Sequence, residues 1–190
     1  MDDWGLTGLH RRHLFSSNWI YELPFGKNRR YMGNISGLGD ALLGGWQVSG
    51  IITAYSGQAL TVGIGRDIAN IGARSPNQRA NNTGQNPDIS NPTRDKFFDT
   101  SVFFVPPLYT FGNAGRGILI GPGQQNYTLG LYKTFLITER HRIQFRAETY
   151  NAFNHPNWNN PSTNPESVNF GRITTVSGAR QIQFGLKYSF

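Results

Sequence analysis

The sequence predicts an all-β protein built from long antiparallel strands, and three observations lead to this fold class. Residues 180–190 alternate strictly: the even positions are apolar, namely Ile182, Phe184, Leu186, Tyr188 and Phe190. A period of two is the pattern of a strand with one apolar and one polar face. The chain also holds 23 Gly and 10 Pro, and 13% of its residues are aromatic, which favours turns and strands over helices. No run approaches 18 consecutive apolar residues, so no membrane-spanning helix is expected.

The terminal segment predicts a strand that crosses a membrane. Chain ends of soluble domains tend to fray, whereas this amphipathic pattern continues to Phe190. About ten residues is also the length of a tilted strand that spans a bilayer. The mean hydropathy of −0.44 fits this interpretation, because every second residue of a barrel strand faces a polar lumen. We therefore expect an antiparallel transmembrane β-barrel segment in a bacterial outer membrane.

Earlier parts of the chain repeat the alternation. The expected strands lie near 13–23, 46–56, 126–137, 141–153 and 180–190. Lys133 interrupts the apolar parity of the third strand, which predicts a position near the membrane interface or at a bulge.

Charged residues share one parity of the last two strands. Arg142, Arg146 and Glu148 alternate with apolar residues in the fourth strand, and Lys187 lies on the polar parity of the fifth. Two arginines and a glutamate on one face suit a wet lumen better than a dry core. We predict that these four side chains face the lumen.

The connections alternate between short and long. Segments 25–44 and 138–139 are the shorter pair, and 57–124 and 154–178 are long polar loops. Short periplasmic turns and long external loops alternate in this way in up-and-down barrels, which places Phe190 at the periplasmic end.

Five strands are too few to close a transmembrane barrel, for which about eight is the lower bound. A complete small barrel would need three more strands from the weak segments near 60–65, 97–105 and 115–120. Met1–Gly5 also lacks the basic and apolar regions of the signal peptide that an exported barrel needs. We expect a fragment of a larger barrel.

Composition argues against several other function classes. The net charge is +7, but the basic residues are scattered, so we expect no nucleic-acid partner. The absence of cysteine excludes a disulfide framework, and His10 and His13 lack a third metal ligand nearby. No nucleophile-elbow spacing or paired-carboxylate site appears. We expect no enzyme activity, no cofactor and no metal.

A run of motifs resembles the late barrel strands of TonB-dependent outer-membrane receptors. The motifs are Tyr21–Gly26, Leu43–Gly50, Phe111–Arg116, Gln144–Glu148, Asn151–Asn157, Asn169–Ile173 and the terminal strand. They cover nearly the whole chain in order. The closest subgroup is the Oar-like one, in which a carboxypeptidase-regulatory-like domain precedes the plug.

This resemblance implies that residues 1–190 form the C-terminal part of a barrel of about 22 strands plugged by an N-terminal domain. It implies energised uptake of a large solute, coupled to the inner-membrane TonB complex through an N-terminal box that this sequence lacks. The implied partners are outer-membrane lipid, the barrel-assembly machinery and an unidentified transported ligand. Gly185, Tyr188 and Phe190 match the terminal signal that the assembly machinery reads; these aromatics also suit an interfacial girdle.

Two alternatives stay open from the sequence. One is a soluble β-sandwich, a carbohydrate-binding or adhesin module whose aromatic residues hold a sugar. The other is the complete small outer-membrane barrel. Expression without detergent as a monodisperse folded monomer would favour the sandwich.

Overall fold

The computed structural model describes residues 4–72 and 78–190. Residues 1–3 and 73–77 lie outside the described residues, the second group within the expected loop 57–124. The chain divides into two compact units, each made of three segments. The sheet unit comprises Phe15–Ala54, Gln125–Pro156 and Gly178–Phe190, and the loop unit comprises Met1–Leu14, Tyr55–Gln124 and Asn157–Ser177.

The sheet unit is built on one five-stranded sheet. Its strands are β1 (Leu14–Glu22), β2 (Trp46–Tyr55), β3 (Gln124–Leu136), β4 (Arg142–Tyr150) and β5 (Gln181–Ser189). Strands that follow one another in this series are also neighbours in the sheet. The prediction of about five long antiparallel strands in an all-β chain is confirmed.

The register of the strands sets which side chains lie side by side on the same face of the sheet. Phe145 of β4 lies opposite Lys133 of β3 and Leu186 of β5, while Arg146 lies opposite Tyr132 and Gly185. The pairing of β3 with β4 is unbroken from Leu136 to Leu129. Lys133 therefore does not sit at a bulge in this ladder, and the other expected explanation, a position near the membrane interface, stays a prediction.

Side-chain alternation then divides the sheet into an apolar face and a polar face. The apolar face carries Ile143, Phe145 and Ala147 of β4 together with Ile182, Phe184, Leu186 and Tyr188 of β5. On β1 and β2 the ring of Trp19 lies over Gly50, where an added Cβ would come within 2.4 Å of the ring. Only glycine at position 50 leaves room for this indole.

The connections leave the two ends of the sheet as expected. The longer connections, 56–123 and 151–180, join strands at one end of the sheet, which we call the long-connection end. The shorter connections, 23–45 and 137–141, join strands at the opposite end, which we call the short-connection end. Phe190, which follows β5, lies at this end. This arrangement follows from an antiparallel order without crossovers.

The connector 23–45 contains a helix that the sequence did not predict, α1 (Leu38–Leu43). Asp40 holds it in place: its carboxylate accepts a hydrogen bond from the backbone N–H of Lys27 at 2.6 Å. Gly26 and Gly44 pack together there, and a Cβ at Gly26 would lie 2.6 Å from the Cα of Gly44. A six-residue helix is too short to show helical periodicity in sequence, because it spans fewer than two turns.

The loop unit has its own hydrophobic core. Its buried members include Val62, Ile64, Ile68, Ala80, Phe98, Val102, Phe103, Ala114 and Leu119. Four two-residue ladders frame it: Ala59–Leu60 with Leu119–Ile120, Gly63–Ile64 with Gln78–Arg79, Asn81–Asn82 with Phe103–Phe104, and Asn157–Trp158 with Val176–Ser177. A 3₁₀ turn spans Thr100–Val102.

These ladders correct one alternative. A complete small barrel required additional wall strands from the segments near 60–65, 97–105 and 115–120. Those segments pair only within the loop unit, in strands of two residues. Two residues reach less than a quarter of the roughly ten needed to cross a bilayer, so these segments add no wall strand.

No helix among residues 4–72 and 78–190 is long and apolar enough to cross a membrane.

Candidate functional site

The polar face of the sheet gathers the charged residues that the sequence singled out. Arg142, Arg146 and Glu148 lie on the same parity of β4. Gln144 shares this parity, and Lys187 of β5 lies directly opposite it. All four are thus on one face, as the parity predicted. Their contact with a lumen stays a prediction.

A hydrogen-bond network orders the middle of this polar face. The Tyr132 hydroxyl donates to Glu148 Oε1 at 3.0 Å, and Arg146 Nε donates to Gln144 Oε1 at 2.8 Å. Gly130 makes room for Tyr132, because a Cβ at Gly130 would lie 2.4 Å from that hydroxyl. Tyr132 was not singled out in the sequence, since its role depends on the register that sets it near Glu148.

The opposite face is apolar and open. Phe145 contacts Trp46 edge-on at 6.1 Å between ring centroids and stacks on Phe184 at 6.3 Å. Phe184 and Leu186 are nevertheless 71% and 76% exposed. A continuous exposed apolar surface of this kind marks a contact with lipid or another protein.

The terminal signal residues occupy three different environments. The Tyr188 hydroxyl lies 2.6 Å from His141 Nδ1, and the two rings stack with a 5.8 Å centroid separation. Phe190 is 91% exposed and lies 5.9 Å from the Tyr188 ring. Gly185 faces Arg146 on the polar face. Tyr188 therefore has a structural role that its position in the motif did not reveal, and the recognition of all three by assembly machinery stays a prediction.

Asn151 joins the strands at the long-connection end. Its Nδ2 donates to the carbonyls of His155 (2.8 Å) and Gly178, and its Oδ1 accepts from the His155 N–H at 2.9 Å. Its own N–H donates to Asn126 Oδ1 at 3.2 Å. Asn151 thus contacts the start of β3 through its backbone N–H, and its side chain ties the end of β4 to the approach to β5. The motif Asn151–Asn157 pointed to this segment, but only the fold shows that Asn151 links three strands.

Two further motifs lock the loop unit together. Asn113 Oδ1 accepts from the Asn82 N–H at 2.7 Å, and the Asn113 N–H donates to Asn81 Oδ1 at 3.1 Å. Gly171 has a φ of +77°, and a Cβ there would lie 2.4 Å from a Thr100 methyl group. The motifs Phe111–Arg116 and Asn169–Ile173 therefore serve packing within this unit.

Carboxylates stabilise the irregular backbone of the loop unit. Hydrogen bonds from the Ser101 hydroxyl (2.9 Å) and N–H (3.2 Å) hold the pKa of Asp99 below its ordinary value. Burial opposes ionisation of Asp67, but hydrogen bonds from the Gln78 side chain and from the N–H groups of Ile71 and Gly72 outweigh it and lower its pKa. Both carboxylates are therefore structural anions.

The segment 106–111 carries exposed aromatic side chains on an ordered backbone. Tyr109 is 74% exposed and has a φ of +64°, a conformation that non-glycine residues seldom adopt. The Tyr109 N–H donates to the Ile68 carbonyl at 2.8 Å, and the Thr110 hydroxyl donates to the Pro107 carbonyl at 2.6 Å. Leu108 and Phe111 are each 63% exposed beside it. A fixed, exposed aromatic segment is suited to contact a ligand.

Among the residues that the structure describes, no group of three or more histidine, cysteine or acidic side chains could hold a metal ion. His10 and His13 belong to no such group.

A comparison with family models finds a match to the outer membrane beta barrel domain over residues 1–183. Searches of curated proteins and of solved structures found no match. The family match covers almost the whole chain and ends within β5, and it contradicts the soluble β-sandwich alternative.

Proposed function

We propose that this chain forms wall strands and external loops of a TonB-dependent transporter. The premise is that the chain belongs to the outer membrane beta barrel domain family and is a protein of the bacterial outer membrane. The transporter would take up a large solute with energy supplied by the inner-membrane TonB complex. The finer assignment, to the Oar-like subgroup, belongs to this proposal.

The observation that carries the proposal is the combination of an open sheet with a packed loop unit. Outer strands β1 and β5 each have one neighbour in the five-stranded sheet. Unpaired strand edges in hydrocarbon cost several kcal/mol for each group, so the wall requires further strands. The loop connection 56–123 is far longer than a hairpin requires, and it contributes to a hydrophobic core of its own unit; loops positioned by a rigid scaffold commonly carry binding residues.

The polar face supports the same function. Arg142, Arg146, Glu148 and Lys187 give the polar face a mixed charge with net positive sign, and the network through Tyr132 fixes part of it. Such a wall can face water or a plug domain, because its charges are either exposed or hydrogen-bonded. We place the proposed solute contact at the exposed segment 106–111 of the loop unit.

Solute uptake in cells tests the proposal. Cells that produce the full-length protein should deplete a large solute from a complex medium, and a protonophore should abolish this depletion. Tyr109→Ala with Phe111→Ala should reduce uptake at least tenfold without reducing the amount of protein in the outer membrane. Uptake that survives the protonophore would contradict energised transport.

Conductance separates a plugged transporter from an open pore. The purified protein in a planar bilayer should show no steady conductance, because a plug fills a transporter lumen. A stable open channel would instead show that the protein is a diffusion pore.

A further inference from the structure

The connector 23–45 lies against the apolar face of the sheet at the short-connection end. Lys133, on the apolar parity of β3, is only 3% exposed, and its ammonium donates a hydrogen bond to the Gly44 carbonyl. The ammonium also lies 5.3 Å from the Trp46 ring and 5.2 Å from the Phe135 ring. The connector thus covers the one cation of this apolar parity near the end of the strand.

The connector also exposes apolar side chains of its own. Leu38 and Leu42, four residues apart on α1, are 84% and 63% exposed, and Leu43 is 45% exposed. Residues four apart lie on the same side of a helix. Asp40 is the inward residue of this short helix, since it binds the Lys27 N–H.

The connector that carries these leucines is also basic. Segment 24–45 contains Lys27, Arg29 and Arg30 but a single acidic residue, Asp40. Arg29 is paired with Glu22 at 2.9 Å, and the Arg30 guanidinium lies 5.5 Å above the Tyr31 ring. Within the part of the chain that the structure describes, no carboxylate forms an ion pair with the Lys27 or Arg30 side chain.

A cavity lies between the connector and β3. Its volume is about 470 Å³, and its lining includes Phe25, Lys27, Arg29, Asp40, Lys133 and Ile137. This lining combines apolar side chains with three cations and one carboxylate, which matches a molecule that has an acyl chain and a negatively charged headgroup.

We propose that this cavity and the exposed face of α1 form a binding site for an anionic phospholipid of the periplasmic leaflet. Leu38, Leu42 and Leu43 enter the acyl region beside the apolar face of the sheet. Lys27 and Arg30 contact the lipid phosphate. The site lies at the short-connection end, which in outer-membrane barrels is the periplasmic one.

Two arguments select a phospholipid as the occupant. The leucines are exposed apolar side chains of a chain that belongs to an outer-membrane family, so membrane lipid is the apolar partner available to them. The charge is complementary, because Lys27 and Arg30 belong to the same connector as those leucines and form no ion pair with a carboxylate of the described residues, and juxtamembrane basic residues attract anionic lipid. The inference depends on the membrane location of the chain and does not depend on transport.

Lipid binding to the full-length protein, extracted from the outer membrane in detergent, tests the charge contribution. Native mass spectrometry should detect bound phosphatidylglycerol in preference to phosphatidylcholine. Each juxtamembrane basic residue contributes about fivefold to such binding, so Lys27→Gln with Arg30→Gln should weaken phosphatidylglycerol binding about thirtyfold.

The matched control is Arg12→Gln with Arg94→Gln, which removes two exposed basic residues of the loop unit. This pair should leave binding unchanged. Equal weakening by both pairs, or weakening by neither, would overturn the proposal.

A fluorescence measurement tests the depth of α1 independently of charge. The chain has no cysteine, so Leu42→Cys gives one labelling position here, and exposed Gln85→Cys of the loop unit serves as its control. In phosphatidylglycerol vesicles, lipids carrying a spin label near the headgroup should quench a fluorophore at position 42 at least threefold more than one at position 85. Equal quenching at both positions would place α1 outside the lipid and refute the site.

Discussion

At the scale of single residues, Asn151 shows how much one side chain contributes to the sheet. It is 2% exposed, its amide makes hydrogen bonds to two carbonyls and one N–H, and its φ of +48° suits asparagine better than alanine. Loss of these bonds leaves buried polar groups unpaired.

We expect Asn151→Ala to destabilise the assembled protein by about 2–4 kcal/mol. Heat modifiability in detergent should show a lower unfolding temperature for this variant. Asn91→Ala, at an exposed loop position, is the control and should unfold with the wild type. An unfolding temperature unchanged in Asn151→Ala would show that water replaces the lost bonds.

Asp99 gives the loop unit a dependence on pH. Its pKa is lowered by hydrogen bonds from Ser101, so ionised Asp99 stabilises the folded state. This contribution is complete above the unfolded pKa of about 3.9 and is lost as pH falls through the lower folded pKa.

The stability difference between the wild type and Asp99→Asn should therefore shrink as pH falls from 5 towards 2. Thermal unfolding of the loop unit, followed by limited proteolysis at each pH, measures this difference. A difference that stays constant over this range would show that the Asp99 charge does not contribute.

A substitution at Gly185 can test recognition by the assembly machinery with little effect on packing. A Cβ at this position would lie 3.9 Å from the Cβ of Arg146, an ordinary contact. Gly185→Ala should therefore change the stability of the assembled protein by no more than about 0.5 kcal/mol. If Gly185 belongs to the assembly signal, the same variant should reduce the amount of assembled barrel at least twofold in cells. Normal assembly of this variant would remove Gly185 from the signal.

At the scale of elements, β5 combines a pairing role with a predicted recognition role. Its register with β4 runs from Gln181 to Ser189, whereas Phe190 lies beyond the ladder and is 91% exposed. Removal of Phe190 therefore costs the sheet little pairing.

We expect deletion of Phe190 in the full-length protein to reduce outer-membrane assembly at least fivefold, because the exposed terminal aromatic is the predicted contact for the assembly machinery. Immunoblots of unboiled outer-membrane fractions measure the folded amount. Asn82→Ala in the loop unit is the comparison and should assemble far better. Equal assembly of the two variants would refute the signal role of Phe190.

The register of β3 with β4 explains the one irregularity in the strand pattern. Lys133 lies on the apolar parity, yet its ammonium reaches the Gly44 carbonyl and two aromatic rings. A lysine near a strand end can direct its charge to the interface while its aliphatic stem remains in apolar surroundings. The sequence predicted that this position lies near the interface, and the contact with the connector supplies the cation's partner.

At the scale of the whole molecule, each unit has its own source of stability. The loop unit buries a continuous core that includes Val102 at 1% exposure. The sheet unit relies on ladders and leaves its apolar face exposed. A change that disrupts the core of one unit therefore need not disrupt the pairing of the other.

Val102→Asp should lower the free energy of unfolding of the loop unit by several kcal/mol and thereby unfold it, because the substitution buries an unpaired carboxylate. Limited proteolysis should then cleave within 56–123 while β5 stays protected in the membrane. Val168→Asp is the matched control, since Val168 is 93% exposed, and it should remain as resistant as the wild type. Loss of the whole barrel in Val102→Asp would show that the units unfold together.

The sequence by itself determined the strands, their two faces and the alternation of connection lengths. Strand character is a local property: a period of two over nine or more residues, as in β5 and β4, already shows which side chains share a face. For the same reason Arg142, Arg146, Glu148 and Lys187 could be placed together before the register was known.

Only the tertiary structure decided how the irregular segments fold. Local periodicity does not relate the residues that meet in the loop core, in the helix α1 over the cavity, or around Asn151. The same is true of Lys133 and Gly44, which are in contact although they lie 89 positions apart in the sequence. Such contacts depend on shape, glycine clearances and single hydrogen bonds between distant segments. A sequence pattern records the alternation within a strand, but it does not record which distant carbonyl satisfies a buried donor.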